Sequence, residues 1–186
     1  GTEWVNVSTM PYANVYSAPV YNDEIHVFGQ NKHYKWDGSS WVSVSTLPHY
    51  LNKGCAVVYN NEIHILGGLI QNSAESRMHY KWNGETWTEV STLPYSFYDG
   101  NAVVYNDEIH IIGTTVSGSC KNHYRYDGAT WVQVSTLPYD FYQGTAVVYN
   151  NEVHIIGGGG SKTSHYKWDG TEWVSVATLP ISTTIP

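Results

Sequence analysis

Nine histidines stand in a chain of 186 residues, and eight of them keep a fixed place. His26, His64, His110 and His154 each follow a Glu-Ile or Glu-Val pair, while His33, His79, His123 and His165 each precede a Tyr and then a Lys or Arg. Imidazoles set out in pairs can ligate a metal or relay protons. On adjacent antiparallel strands the two members of a pair would sit on a diagonal, about 7 Å apart, which is long for sharing one ion. No carboxylate lies at ligand spacing in the segments between them, so the sequence assigns no metal ligand and no cofactor. A feature repeated four times reads more simply as packing. Glu24, Glu62, Glu108 and Glu152 would then face Lys35, Lys81, Arg125 and Lys167 as cross-strand partners.

A second set of residues suits recognition rather than reaction. Tyr16, Tyr50, Phe97, Tyr98, Phe141 and Tyr142 lie in short segments that also carry Asn52, Asp99 and Gln143. Flat apolar rings beside amides and a carboxylate fit a sugar or a peptide. The same rings would equally serve to pack neighbouring units together, and both readings stand at this point. Catalytic patterns are missing: there is no Gly-x-Ser-x-Gly, zinc motif or phosphate loop. Cys55 and Cys120 are too few for a disulfide scaffold and are expected as thiols, although neighbouring units would allow a bridge. No catalytic residue is assigned, and the chain is expected not to be an enzyme.

Charge narrows the partners. Sixteen acidic residues against nine basic ones give a net charge of −7, with no Lys/Arg cluster to offset it. Such a surface repels phosphate, which argues against nucleic acid and anionic membrane. No apolar run approaches the roughly 18–20 residues of a membrane-spanning helix.

The elements that must position these residues are written in repeats. Trp4, Trp41, Trp87, Trp131 and Trp173 each open a version of WVSVSTLP, at spacings of 37, 46, 44 and 42 residues. Ahead of all but the first come three further phrases. One is AVVYN, closed by Asn-Asn or Asn-Asp; the second is EIHIIG, ended by glycine; the third is HYKWDG, whose Asp-Gly signals a tight hairpin turn. With no helical period anywhere, the chain reads as all-β. Four short antiparallel strands in about 40–50 residues make one propeller blade. The expected organisation is a single domain over 1–186: an extra N-terminal strand at 1–11, repeats at 12–48, 49–94, 95–138 and 139–180, and a tail at 181–186.

EIHILGG, followed by a loop, HYKWNG and Trp87, resembles the Kelch repeat. That repeat has a glycine doublet after the second strand, an aromatic in the third and a Trp opening the fourth. The doublet is complete at Gly67–Gly68 and Gly157–Gly158 but reads Gly29–Gln30 and Gly113–Thr114 elsewhere. The resemblance implies a Kelch-like β-propeller of four-stranded blades, here four complete repeats plus one strand, that acts as a protein-interaction module. Some copper oxidases use such a propeller, with Tyr, His and Cys around the metal; here no distinct His pair accompanies the cysteines.

WVNVSTMP has no three strands before it to complete. It belongs to a longer array, is spare in a four-bladed ring, or pairs in another chain; an unpaired edge makes a homo-oligomer plausible. The repeats also supply a control on function. The turns between first and second strands, and between third and fourth, are nearly the same in every copy. The loops between second and third strands, and the connections from fourth to first, differ and would share the other face. The expected function is a binding or scaffold module that takes a protein partner on that variable face. Alternatives are a glycan-binding adhesin or lectin-like propeller of bacterial or phage type, and an engineered or excerpted array whose role is assembly alone.

Overall fold

A computed structural model of the chain describes residues 3–12, 14–70, 74–114, 120–159 and 161–180. Among them there is no helix, and the strands gather into four antiparallel blades. Blade 2 consists of Cys55–Tyr59, Glu62–Leu66, Met78–Trp82 and Trp87–Thr92. Blade 3 consists of Asn101–Tyr105, Glu108–Ile112, Asn122–Tyr126 and Trp131–Thr136, and blade 4 of Thr145–Tyr149, Glu152–Ile156, His165–Trp168 and Trp173–Ser175. Each is a meander in which consecutive strands pair. A small ladder, Leu69–Ile70 with Ala74–Glu75, decorates the longest loop.

Blade 1 is drawn with fewer breaks: Val20–Tyr21, Glu24–Trp36 and Trp41–Leu51. His26 and His33 touch, 2.8 Å apart. Seven residues of straight strand would separate them by about 23 Å, so the run folds back on itself near Gly29. It therefore supplies both middle strands of the blade.

Local chemistry sets these turns. In Asn22–Asp23, Asn60–Asn61, Asn106–Asp107 and Asn150–Asn151 both residues have φ between 49° and 61°. That is the type I′ hairpin geometry which asparagine and aspartate tolerate and which matches the twist of the strands. At the third-to-fourth turns Asp37, Asn83, Asp127 and Asp169 each accept backbone N–H bonds two and three residues on. These are Asx turns.

The core lies between blades rather than inside them. Blades 2 and 3 each present one face to the blade before and the other to the blade after, while blades 1 and 4 pack on one side only. Tyr21, Phe28 and Leu47 of blade 1 meet Ile63, Ile65 and Trp82 of blade 2. Val57, Tyr59, Leu66 and Leu93 of blade 2 meet Ile109, Ile111 and Tyr126 of blade 3. Tyr105, Ile112 and Leu137 of blade 3 meet Val153, Ile155 and Trp168 of blade 4. The first strands are neighbours around the axis, and one residue at the same place in each ties it to the next. Ser17 Oγ accepts from Ala56 N–H at 3.0 Å, Cys55 Sγ donates to Gly100 O at 3.1 Å, and Asn101 bonds both Gly144 O and Ala146 N–H. This is a propeller-like arrangement.

Residues 4–11, the surplus WVNVSTMP segment, form no strand, and Trp4 is fully exposed. A fourth strand needs a third strand for its ladder, and a single copy of the chain offers this one none.

Candidate functional site

The histidines form a packed structural device. His26 Nδ1 lies 2.8 Å from His33 Nε2, His64 Nδ1 2.7 Å from His79 Nε2, His110 Nδ1 2.8 Å from His123 Nε2, and His154 Nδ1 2.7 Å from His165 Nε2. The diagonal register expected from the sequence is present, as in Ile112 opposite His123 and His110 opposite Arg125. The 7 Å separation is not: both rings lean across the diagonal until their nitrogens share one proton. The acid–base pairs also form, with Lys35 on Glu24, Lys81 on Glu62, Arg125 on Glu108 and Lys167 on Glu152.

Each buried pair continues into the next blade. His33 Nδ1 is 3.0 Å from Ser45 Oγ, and the same hydroxyl accepts the Trp87 indole N–H at 2.9 Å. His79, Ser91 and Trp131 repeat the pattern at 3.2 and 3.2 Å; His123, Ser135 and Trp173 repeat it at 2.8 and 3.0 Å. One proton order runs through the bridge, indole to hydroxyl oxygen, hydroxyl to Nδ1, then Nε2–H to Nδ1 of the other ring, whose own Nε2 in His26, His64 and His110 is buried without a hydrogen-bond partner among the described residues. Burial, reinforced by the neighbouring imidazole or cation, holds His33, His79 and His123 down to about 3. Burial likewise lowers His64 and His110 to about 4. These rings are neutral at physiological pH and enclosed between blades. Among the described residues no three His, Cys, Asp or Glu side chains come together as a metal site.

The variable face holds a different kind of geometry. Lys53, Asp99 and Gln143 occupy equivalent places in three connections, all with left-handed backbone at φ of 60°, 52° and 55°. Asp99 N–H donates to Lys53 O at 2.8 Å, and Gln143 N–H reaches Asp99 O at 3.4 Å. The three residues thus step around the axis, and Lys53 Nζ donates to Asp99 Oδ2 at 2.7 Å. That bond raises the lysine above its ordinary pKa. Non-glycine residues held at positive φ cost free energy and concentrate where function demands a particular backbone.

Beside them opens a cavity of ≈ 540 Å³, lined by Lys53, Tyr98, Asp99, Thr114, Cys120, Tyr142 and Gln143. Thr114 is only 1% exposed, and among the described residues its hydroxyl has no hydrogen-bond partner. A buried hydroxyl without a partner invites one from a ligand or a water. A cavity of ≈ 460 Å³ on the opposite face, around Asn106, Glu108, Arg125 and Gly170, is made of residue types that recur in the other blades.

The sequence-nominated residues divide. Tyr98, Asp99, Tyr142 and Gln143 come together at the cavity. Phe97 and Phe141 are fully buried, each in the core between its own connection and the adjoining blades, so packing accounts for them. Asn52 spends its backbone on Leu69, Tyr16 bonds Phe28 O through its N–H, and Tyr50 is half-buried; none of the three lines the cavity.

His49, the one histidine outside the repeat, stands where Tyr95 and Tyr139 stand. All three bond the carbonyl of the glycine ending the next second strand, Gly67, Gly113 and Gly157. Cys55 and Cys120 are thiols, and burial pushes Cys55 up to about 12, which keeps it protonated and unreactive. Lys53 and Thr114 were not nominated by the sequence. Alignment of Lys53 with Asp99 and Gln143 was the available signal. Thr114 was marked only as a broken glycine doublet.

No family model and no curated protein matches this sequence. Among solved chains 184 resemble it. The one titled "Structure of YjhT" superposes with a TM-score of 0.80, covering 95% of this chain and 68% of that one at 13% identity. At that identity the likeness establishes the propeller-like fold.

Proposed function

We propose that the protein is a non-catalytic binding module that takes a hydroxyl-rich group, such as a sugar residue, into the cavity at Lys53, Asp99 and Gln143. The observation that carries this reading is the Thr114 hydroxyl, buried without a partner among the described residues in a cavity of ≈ 540 Å³ that also offers an amide, an ion pair and the open ring of Tyr142. That volume falls in the usual range for small-ligand sites. Each hydroxyl of a sugar can both donate and accept, which suits a mixed donor–acceptor lining.

The test is a glycan array probed with the wild type, Tyr142→Ala and Gln143→Ala. Both side chains are exposed, so neither change should move the melting temperature by more than a degree or two. Binding by the wild type that falls at least tenfold in both variants supports the reading. Wild-type binding that both variants retain refutes the site.

A protein partner on the same face is the second reading. It is favoured by equivalent backbones that carry unlike side chains, Lys53, Asp99 and Gln143, whereas the opposite face repeats its Asn turns. It also accords with the resemblance to Kelch repeats. A photocrosslinker at position 143 that captures a defined protein, while one at position 106 does not, selects this reading over the first.

A further inference from the structure

The four blades form an open arc, and its two ends are unfinished copies of the junctions inside it. On blade 4 the outward face leaves Val147 45% and Tyr149 62% exposed, whereas Tyr59 and Tyr105, the same residue in blades 2 and 3, are 7% and 5% exposed. On blade 1 the outward face leaves Ile25 41% exposed, whereas Ile63 and Ile109 are at 0%. The missing contacts are complementary. His33 is covered by Trp82 and Trp87 of the next blade, His79 by Tyr126 and Trp131, and His123 by Trp168 and Trp173. Among the described residues His165 has no such cover, and the neighbouring rings of Trp36 and Trp41 on blade 1, tilted by 55°, cover no histidine.

The bridging serine gives the second observation. Ser45, Ser91 and Ser135 each join the histidine of their own blade to the Trp of the next. In blade 4 that place is Ala177, so His165 lacks a bridge; the blade's own fourth strand still pairs over Trp173–Ser175 and onward through Val176 N–H to His165 O and Leu179 N–H to Thr163 O, and an incoming strand replaces these bonds one for one. The surplus segment WVNVSTMP restores the serine as Ser8, with Met10 at the place of Leu47, Leu93 and Leu137.

We propose that two copies of this chain join head to tail, each lending residues 4–10 as the fourth strand of the other's blade 4. Trp4 then lies opposite Trp168, where Trp173 is now, and Ser8 joins the partner's His165 to Trp41 of its own chain. The exchange is between copies because of reach. The connection from Pro11 to Ser17 is no longer than those inside the chain, so residues 4–10 can serve only a blade packed directly on blade 1. The chain's own blade 4 is not packed there, since both faces are open. Two identical junctions related by a two-fold axis close a ring of eight blades, within the known range for propellers. The inference does not depend on what the variable face binds.

Native mass spectrometry and light scattering on the 186-residue chain test it, alongside Tyr149→Arg, Ser8→Ala and a form lacking residues 1–10. The expected result is a mass of two chains for the wild type and one chain for both Tyr149→Arg and the truncated form. Ser8→Ala should weaken association roughly a thousandfold, because the symmetric dimer loses two hydrogen bonds at each of its two junctions. Circular dichroism should show the β structure unchanged in all three, because Tyr149 and residues 3–9 are exposed in the single chain. Hydrogen exchange should show residues 5–9 protected in the dimer. A monomer at every concentration, a ladder of higher masses, or a dimer that survives the truncation would overturn the proposal.

Discussion

Acidification from pH 8 to pH 5 should unfold this protein through its histidines. In the fold His33, His79 and His123 lie at about 3 and His64 and His110 at about 4, against 6.5 for a free imidazole. The unfolded chain therefore binds protons that the folded chain refuses. Stability is fully present above the unfolded value and is lost as pH falls from about 6.5 toward 4 and 3. At pH 5 each such imidazole removes about 2 kcal/mol, so five remove roughly 10 kcal/mol, comparable with the whole stability of an ordinary domain. The slope near pH 5.5 is about 6 kcal/mol per pH unit, from between four and five protons taken up.

The groups around the rings do not cancel this. Glu24, Glu62 and Glu108 are each neutralised by a Lys or Arg partner. Asp37 and Asp169, held at about 2 by hydrogen bonds from their turns, stay ionised across the window. Differential scanning calorimetry at pH 8, 7, 6 and 5, with the proton uptake on unfolding measured in buffers of different ionisation enthalpy, reads both quantities. A melting temperature equal at pH 5 and pH 8, or an uptake below one proton at pH 5.5, would falsify the assignment of neutral buried pairs.

Two substitutions probe the junctions. Ser91→Ala removes the acceptor of Trp131 and the partner of His79 together, and should lower stability by roughly 2–3 kcal/mol in urea unfolding at pH 7.5. A loss under 0.5 kcal/mol would mean the bridge is not made. Gly67→Ala places a side chain on a residue at φ +63° and drives its Cβ into the Phe97 carbonyl. It should cost at least about 2 kcal/mol, and an unchanged urea midpoint would show that the connection yields easily.

Repetition made the blades legible. The Asn-Asn and Asp-Gly signals placed the turns, and a Trp every 37 to 46 residues placed the fourth strands. The faces carrying conserved turns and variable loops also followed from alternation of strand direction alone. Side-chain convergence did not follow. Register put His110 and His123 on a diagonal, but only the tilt of both rings brings their nitrogens to 2.8 Å. In the connections, Phe97 and Tyr98 are adjacent and chemically alike, yet only Tyr98 lines the cavity. Composition could not separate two neighbouring aromatic rings, one fully buried and one at the cavity. Lys53 escaped notice because its importance lies in a backbone position shared with Asp99 and Gln143, and its side-chain type has no counterpart there.

The placement of the core explains why the repeats had to stay so alike. A histidine pair belongs to one blade, its serine to the same blade, and the Trp that caps both to the next. No blade is therefore complete alone, and stability accrues at junctions, as in other stacked repeats. A change in one partner is felt across the boundary, which holds His, Ser and Trp together in each copy. Ala177 breaks that pattern in blade 4, and Ser8 keeps it in the segment ahead of blade 1. Variation is tolerated where neighbours do not depend on it, in the connections that bring Lys53, Asp99 and Gln143 around the axis. The residues that hold the arc together and those free to specialise are thus separated by geometry, with the junctions buried between blades and the variable side chains at one end of the axis.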